Sequence, residues 1–236
     1  MRFVAAVVLG ISLSGGVVLS GAAQSGMPSG PARIQAEVGF ELDRPGIAVP
    51  RFTIRVHEDG TGSYQAEEVS GPADGGTVHY ASAKHIDRAM SMTPATVSKI
   101  FKTARELNYF DMNCNSKAKN LANTGKKTLR YTGPDGSGSC VYNYSDSKEV
   151  QMLTNVFLSI AYTMDEGRRL EFLHRYDRLG LDAEMTAMED SVKAGRALEL
   201  NTIEPVLASI VKDMAVMERV RQRAAKLLEM ARNSNL

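Results

Sequence analysis

The sequence predicts an α+β protein: an antiparallel sheet built from hairpins with packed helices, followed by an all-helical C-terminal region. Three observations predict it. Apolar residues alternate at the two-residue period of half-buried strands in several segments before residue 145. Two of these alternations are joined by Asp-Gly turns, at Asp59-Gly60 and Asp135-Gly136, the dipeptide that best tolerates the positive φ of tight hairpins. From Thr163 onward, strand patterns and glycine-rich turns give way to helical periodicity.

Taken in order, Ile34, Ala36, Val38, Phe40 and Leu42 alternate with polar or small residues and form a first strand, ended by Arg44-Pro45-Gly46. Phe52, Ile54 and Val56 run into the turn at Glu58-Asp59-Gly60 and re-emerge as Tyr64 and Ala66. Beyond the glycine-rich stretch 71–76, the segments Thr77–Tyr80 and Ile86–Met92 read as further short strands. Thr93 before Pro94 is an N-cap with proline at the first helical position, and Val97, Ile100, Phe101, Ala104 and Leu107 repeat at helical spacing up to about Asn108. Leu129 and Tyr131 lead into a second hairpin that returns through Cys140, Tyr142 and Tyr144. Ser145 or Ser147 then caps a helix carrying Val150, Leu153, Phe157, Ile160 and Ala161.

In the helical tract, Thr163-Met164-Asp165-Glu166 has the form of a capping box and predicts a new helix through Leu170, Leu173, His174 and Leu179, closed by Gly180. Asp182 caps the next helix, which Gly195 stops. Asn201-Thr202-Ile203-Glu204 repeats the box and opens what reads as the longest helix, with Ile203, Leu207, Ile210, Met214, Met217, Ala224, Leu228 and Ala231 on one stripe. Such a stripe must be covered, either by the protein's own helices at 163–195 or by a partner. The second alternative makes Ile203, Leu207, Ile210, Met214, Met217 and Leu228 an interaction surface for an envelope protein or a second copy.

The first residues supply an address. Arg2 precedes an apolar run from Phe3 to Leu19 diluted by glycine and serine, followed by small residues, the order of parts in a cleavable secretory signal. Cleavage near Ala23 predicts a periplasmic or secreted protein, and nothing later in the chain is apolar enough to span a bilayer. The expected organisation is a signal peptide at 1–23, a flexible linker at 24–33, a sheet domain at 34–163 and a helical region at 164–236.

The chain has 236 residues with 28 basic and 27 acidic side chains, and losing Arg2 with the leader balances the mature charge. Nucleic acid is therefore not an expected partner, since phosphate binding calls for a basic excess or a concentrated basic stripe. The two cysteines, Cys114 and Cys140, both lie in the exported part, and an even count in an oxidising compartment reads as one structural disulfide.

No cofactor motif is present and no catalytic residue stands out. His79, His85 and Asp87 are the closest approach to a metal-ligating or catalytic group, but two histidines six positions apart fall short of a zinc pattern. His57-Glu58-Asp59 serves the turn that needs Asp59, and His174 sits among apolar helix positions as a packed or half-buried histidine. Gly136-Ser137-Gly138-Ser139-Cys140 fails the nucleophile-elbow pattern and lies inside a hairpin. Glu67 with Glu68, and Asp165 with Glu166, read as exposed charges at a strand end and a helix start.

Residues 51–163 resemble small exported bacterial α+β domains of unknown function. The resemblance is carried by Phe52-Thr53-Ile54-Arg55-Val56, Asp59-Gly60-Thr61-Gly62-Ser63-Tyr64, Thr93-Pro94 and Leu129-Arg130-Tyr131. It implies a bacterial envelope setting and brings no activity or site residues with it. The leading expectation is a non-enzymatic binding or protein-interaction module. The alternatives are a hydrolase or other enzyme assembled only in the fold, with His79, His85 and Asp87 as candidates, or a small-molecule or metal carrier.

Overall fold

A computed structural model describes residues 35–69 and 83–233. Strand β1 (Glu37–Asp43) buries Val38, Phe40 and Leu42, and pairs antiparallel with β2 (Arg51–His57) on one side and with β5 (Lys126–Gly133) on the other. β3 (Thr61–Val69), β4 (Ala83–Ser91) and β6 (Gly136–Tyr142) complete a six-stranded antiparallel sheet in the order β4-β3-β2-β1-β5-β6. Both expected hairpins are present. In the first, Gly60 takes φ +87° and Asp59 Oδ1 accepts the Thr61 N–H at 2.8 Å, so the turn is held by the residues that announced it. The strand expected at Thr77–Tyr80 lies outside the described residues, as do the signal segment and the linker.

Helix α1 (Pro94–Glu106) is capped by Thr93, whose hydroxyl accepts from Thr96 N, and α2 (Lys148–Tyr176) by Ser147, whose hydroxyl accepts from Val150 N. Both pack on one face of the sheet, with Phe157 of α2 stacked on Phe40 of β1 at 5.1 Å between ring centroids. Cys114 and Cys140 are at disulfide distance and tie the chain beyond α1 to β6.

Three helical expectations need correction. The capping box at Thr163 opens nothing, because α2 runs unbroken for 29 residues. Thr163 is fully buried and its hydroxyl donates back to the Ser159 carbonyl, while the carboxylates of Asp165 and Glu166 are engaged by other elements. The boundary expected at 163–164 thus falls inside one helix, and the described residues form one compact unit. The helix also ends at Tyr176, short of Gly180, and Gly180 instead precedes α3 (Leu181–Lys193), with Asp182 inside its first turn.

The long C-terminal helix is two. A 3-10 turn (Leu200–Ile203) leads into α4 (Glu204–Lys212), and α5 (Glu218–Asn233) folds back against it. Asp213 makes the break: its backbone is extended, Oδ1 accepts the Ala215 N–H at 2.9 Å and Oδ2 meets Nε2 of His174 at 2.9 Å. The covered stripe is therefore internal. Ile203, Leu207, Ile210 and Leu228 are buried with Leu170, Leu181, Met185 and Met188 in a second core beneath the end of α2, and Met217 packs partly against it. These residues are not available as an interaction surface in this structure; of the six, only Met214 is exposed, in the α4–α5 turn.

Candidate functional site

A cleft of about 970 Å³ lies along the second half of α2, lined by that helix, the sheet and the β1–β2 loop. That volume is at the upper end of the range for small-molecule sites. Its apolar floor comes from Leu42 and Phe52 of the sheet, from Ile47 and Val49 of the β1–β2 loop, and from Leu158 and Ala161 of α2. The α2 side continues through Tyr162, Asp165, Arg169, Phe172 and Tyr176, successive steps of three or four residues along one helix face.

One wall is a set of charges that fasten α2 to β3 and β4. The Tyr64 hydroxyl donates to Asp165 Oδ1 at 2.7 Å, and Arg168 donates to Glu68 Oε2 at 2.9 Å and to Asp165 Oδ1 at 3.2 Å. Arg88 forms a bidentate pair with Glu171 at 3.0 and 2.7 Å. Burial, followed by the facing Asp165 carboxylate, pushes the Tyr64 hydroxyl up, so it remains a donor. Burial also raises Asp165, against the opposing pull of Tyr64 and Arg168. Glu166, which also lines the cleft, is pushed up to about 8 by burial, then by its hydrogen bond to Glu184 and that residue's charge. Holding a proton at neutral pH gives Glu166 a donor for Glu184, whose other side takes Nε of Arg169 at 2.7 Å. These carboxylates are neither exposed nor at a helix start, correcting the reading of Asp165 and Glu166.

The rim differs in that its charges are unbalanced. Arg44, Lys84 and Arg175 line the cleft, and no carboxylate of the described residues pairs with any of them; Arg175 instead lies over the Tyr176 ring at 5.3 Å. Phe172 and Tyr176 are in mutual ring contact at 5.1 Å, yet remain 59 % and 66 % exposed. Large aromatic surface left in water beside uncompensated cations is a feature that packing does not explain.

The expected site residues are not brought together. His79 lies outside the described residues, and His85 and Asp87 are exposed on the face of β4 opposite to Ile86 and Met90, away from the helices. Asp87 accepts only a 3.4 Å contact from Gln65, and no group of three potential metal ligands occurs among the described residues. His174 is half-buried, as its apolar neighbours implied, and is engaged by Asp213. No described helix is long and apolar enough to cross a membrane.

Sequence reasoning missed the cleft because its helix face straddles residue 163, where a break was expected. The signal is present in Leu158, Tyr162, Asp165, Arg169, Phe172 and Tyr176 once α2 is continuous. No known protein-family model matches the chain, and no curated protein matches it. The geometry therefore stands alone as the guide to function.

Proposed function

We propose that this protein is an exported, non-enzymatic binding module of the bacterial envelope, periplasmic or secreted after cleavage near Ala23, and that its cleft holds an anionic ligand with an apolar body. The observation that carries the reading is the cleft rim, where Arg44, Lys84 and Arg175 lack carboxylate partners among the described residues beside the exposed Phe172 and Tyr176. Unpaired cations in a concave site focus potential on an incoming anion, and the aromatic pair offers area for an apolar body. Export is supported by the order of residues 1–23 and by the cysteine pair at disulfide distance. Tyr64, Asp165, Arg168 and Glu68 are joined by hydrogen bonds across two elements, which suits a rigid wall better than proton transfer.

The test uses 8-anilinonaphthalene-1-sulfonate, an aromatic sulfonate, titrated into residues 24–236 and into an R44A/K84A/R175A variant of the same chain. Saturable fluorescence from a single site is expected, at least tenfold weaker in the variant and weakened by salt. Equal binding by both proteins, or none by the native one, removes the reading.

A further inference from the structure

Next to the cleft is a second, smaller cavity of about 270 Å³, and the two share Leu42, Arg44 and Leu158. The smaller one leads to Lys127, a lysine only 6 % exposed. Its Nζ is held by the carbonyl oxygens of Thr124, Gly125 and Asn143 at 3.3, 3.2 and 2.8 Å, and by the Thr124 hydroxyl at 2.9 Å. All these partners are neutral, and no carboxylate of the described residues forms an ion pair with it. A buried ammonium is normally compensated by an opposite charge. Burial, and then the neighbouring Arg44 guanidinium, push the Lys127 ammonium down, and both cations line the small cavity.

The chain is shaped to permit that approach. Gly125 adopts φ +96°, and a Cβ there would stand 2.7 Å from Cβ of Arg44 and 3.1 Å from Cδ1 of Leu42. Only glycine lets the turn before β5 lie against Arg44. The same cavity is bordered by Asn143, Ser145 and Gln151, and Leu42 and Leu158 line both it and the large cleft.

We infer that Arg44 and Lys127 form a head-group subsite for a single-chain anionic amphiphile of the fatty-acid class, its carboxylate in the small cavity and its alkyl chain along Leu42, Leu158 and Phe52 in the large cleft. The inference rests on the binding reading above and narrows it to one ligand chemistry. An alkyl chain suits the apolar residues Leu42 and Leu158 that line both cavities, and a single anionic head supplies the charge that Arg44 and Lys127 lack.

The experiment is isothermal titration of residues 24–236 with dodecanoate and, separately, with dodecyltrimethylammonium, both below micelle formation. The two probes share a chain and differ in head-group sign. Dodecanoate should fill one site at least tenfold more tightly than the cation, and R44Q, a change at an exposed side chain, should remove most of that preference. K127M, with its melting temperature measured alongside, should do the same if it folds. Equal affinity for the two probes, no dodecanoate binding, or an undiminished preference in R44Q overturns the inference. Retained, charge-dependent binding of the aromatic sulfonate in such a case would leave the broader reading standing, whereas loss of both would remove the two together.

Discussion

The carboxylate of Glu199 accepts the backbone N–H of Thr93 at 2.7 Å and the Thr93 hydroxyl at 2.8 Å, across 106 residues of chain. It also takes the hydroxyl of Thr96. An acidic side chain from the helical half thus completes the N-terminal cap of α1, where the backbone dipole favours negative charge. Glu199 reaches it from a left-handed backbone at φ +56°, a conformation that a non-glycine residue holds only when its surroundings compensate. Together with α2, this contact locks the helical half to the sheet.

Removing that carboxylate should therefore destabilise the whole protein. Glu199→Ala leaves a buried N–H and a buried hydroxyl without their acceptor, costing about 2–3 kcal/mol. For a chain of this size that corresponds to a drop of roughly 5–10 °C in Tm. Thermal unfolding followed by circular dichroism reads it, and a Tm unchanged within error would mean that the contact contributes nothing.

Glu166 predicts a pH dependence with a definite sign. Its carboxyl titrates near 4.5 in the unfolded chain and is pushed up to about 8 in the folded one. The stability linked to the bound proton is complete below the lower value, declines as pH rises between the two, and is lost above the higher one. Tm should fall from about pH 5 to about pH 9, and Glu166→Gln, which keeps a donor toward Glu184 and cannot ionise, should flatten that decline. Parallel pH profiles for the two proteins would contradict the assignment.

Gly167 offers a test in which local propensity and packing disagree. On propensity alone, alanine in the middle of α2 should stabilise the helix by about 1 kcal/mol. A Cβ at Gly167, however, would collide with the buried Ile203 side chain of the helical half. Gly167→Ala should thus cost about 1–3 kcal/mol net, because overpacking outweighs propensity. Urea denaturation decides the matter, a higher midpoint meaning that Ile203 yields easily.

Cys114 and Cys140, 26 residues apart and both buried, should contribute on the order of 3 kcal/mol by restricting the unfolded chain. The C114A/C140A variant should lose about that amount of unfolding free energy in equilibrium denaturation. A much smaller loss would show that the sheet core holds β6 in place without help.

Elements whose signals are local were legible in the residues. Alternation at Val38, Phe40 and Leu42, the Asp59-Gly60 turn and the Thr93-Pro94 cap each depend on neighbours within a few positions, and each is found where those neighbours place it. The helical tract was read less well for the same reason. Thr163-Met164-Asp165-Glu166 has the pattern of a helix start, but a cap forms only if its side chains are free to turn back on the backbone. Tyr64, Arg168 and Glu184 claim two of them. Likewise the stripe from Ile203 to Leu228 marks surface that must be buried without saying what buries it; Asp213 breaks the helix so that α5 covers α4.

What the sequence by itself determined is the α+β class and the strand faces, since these follow from the dihedral preferences and hydrophobic period of short segments, and the paired cysteines, which follow from their even count. Only the tertiary structure decided that α2 is continuous, that the C-terminal stripe is core, and that Arg44, Lys127, Phe172 and Tyr176 border adjoining cavities. Those four residues come from a loop, a strand and the end of a helix. Their meeting depends on long-range packing and on where opposite charges run out, quantities that exist only between segments distant in the chain.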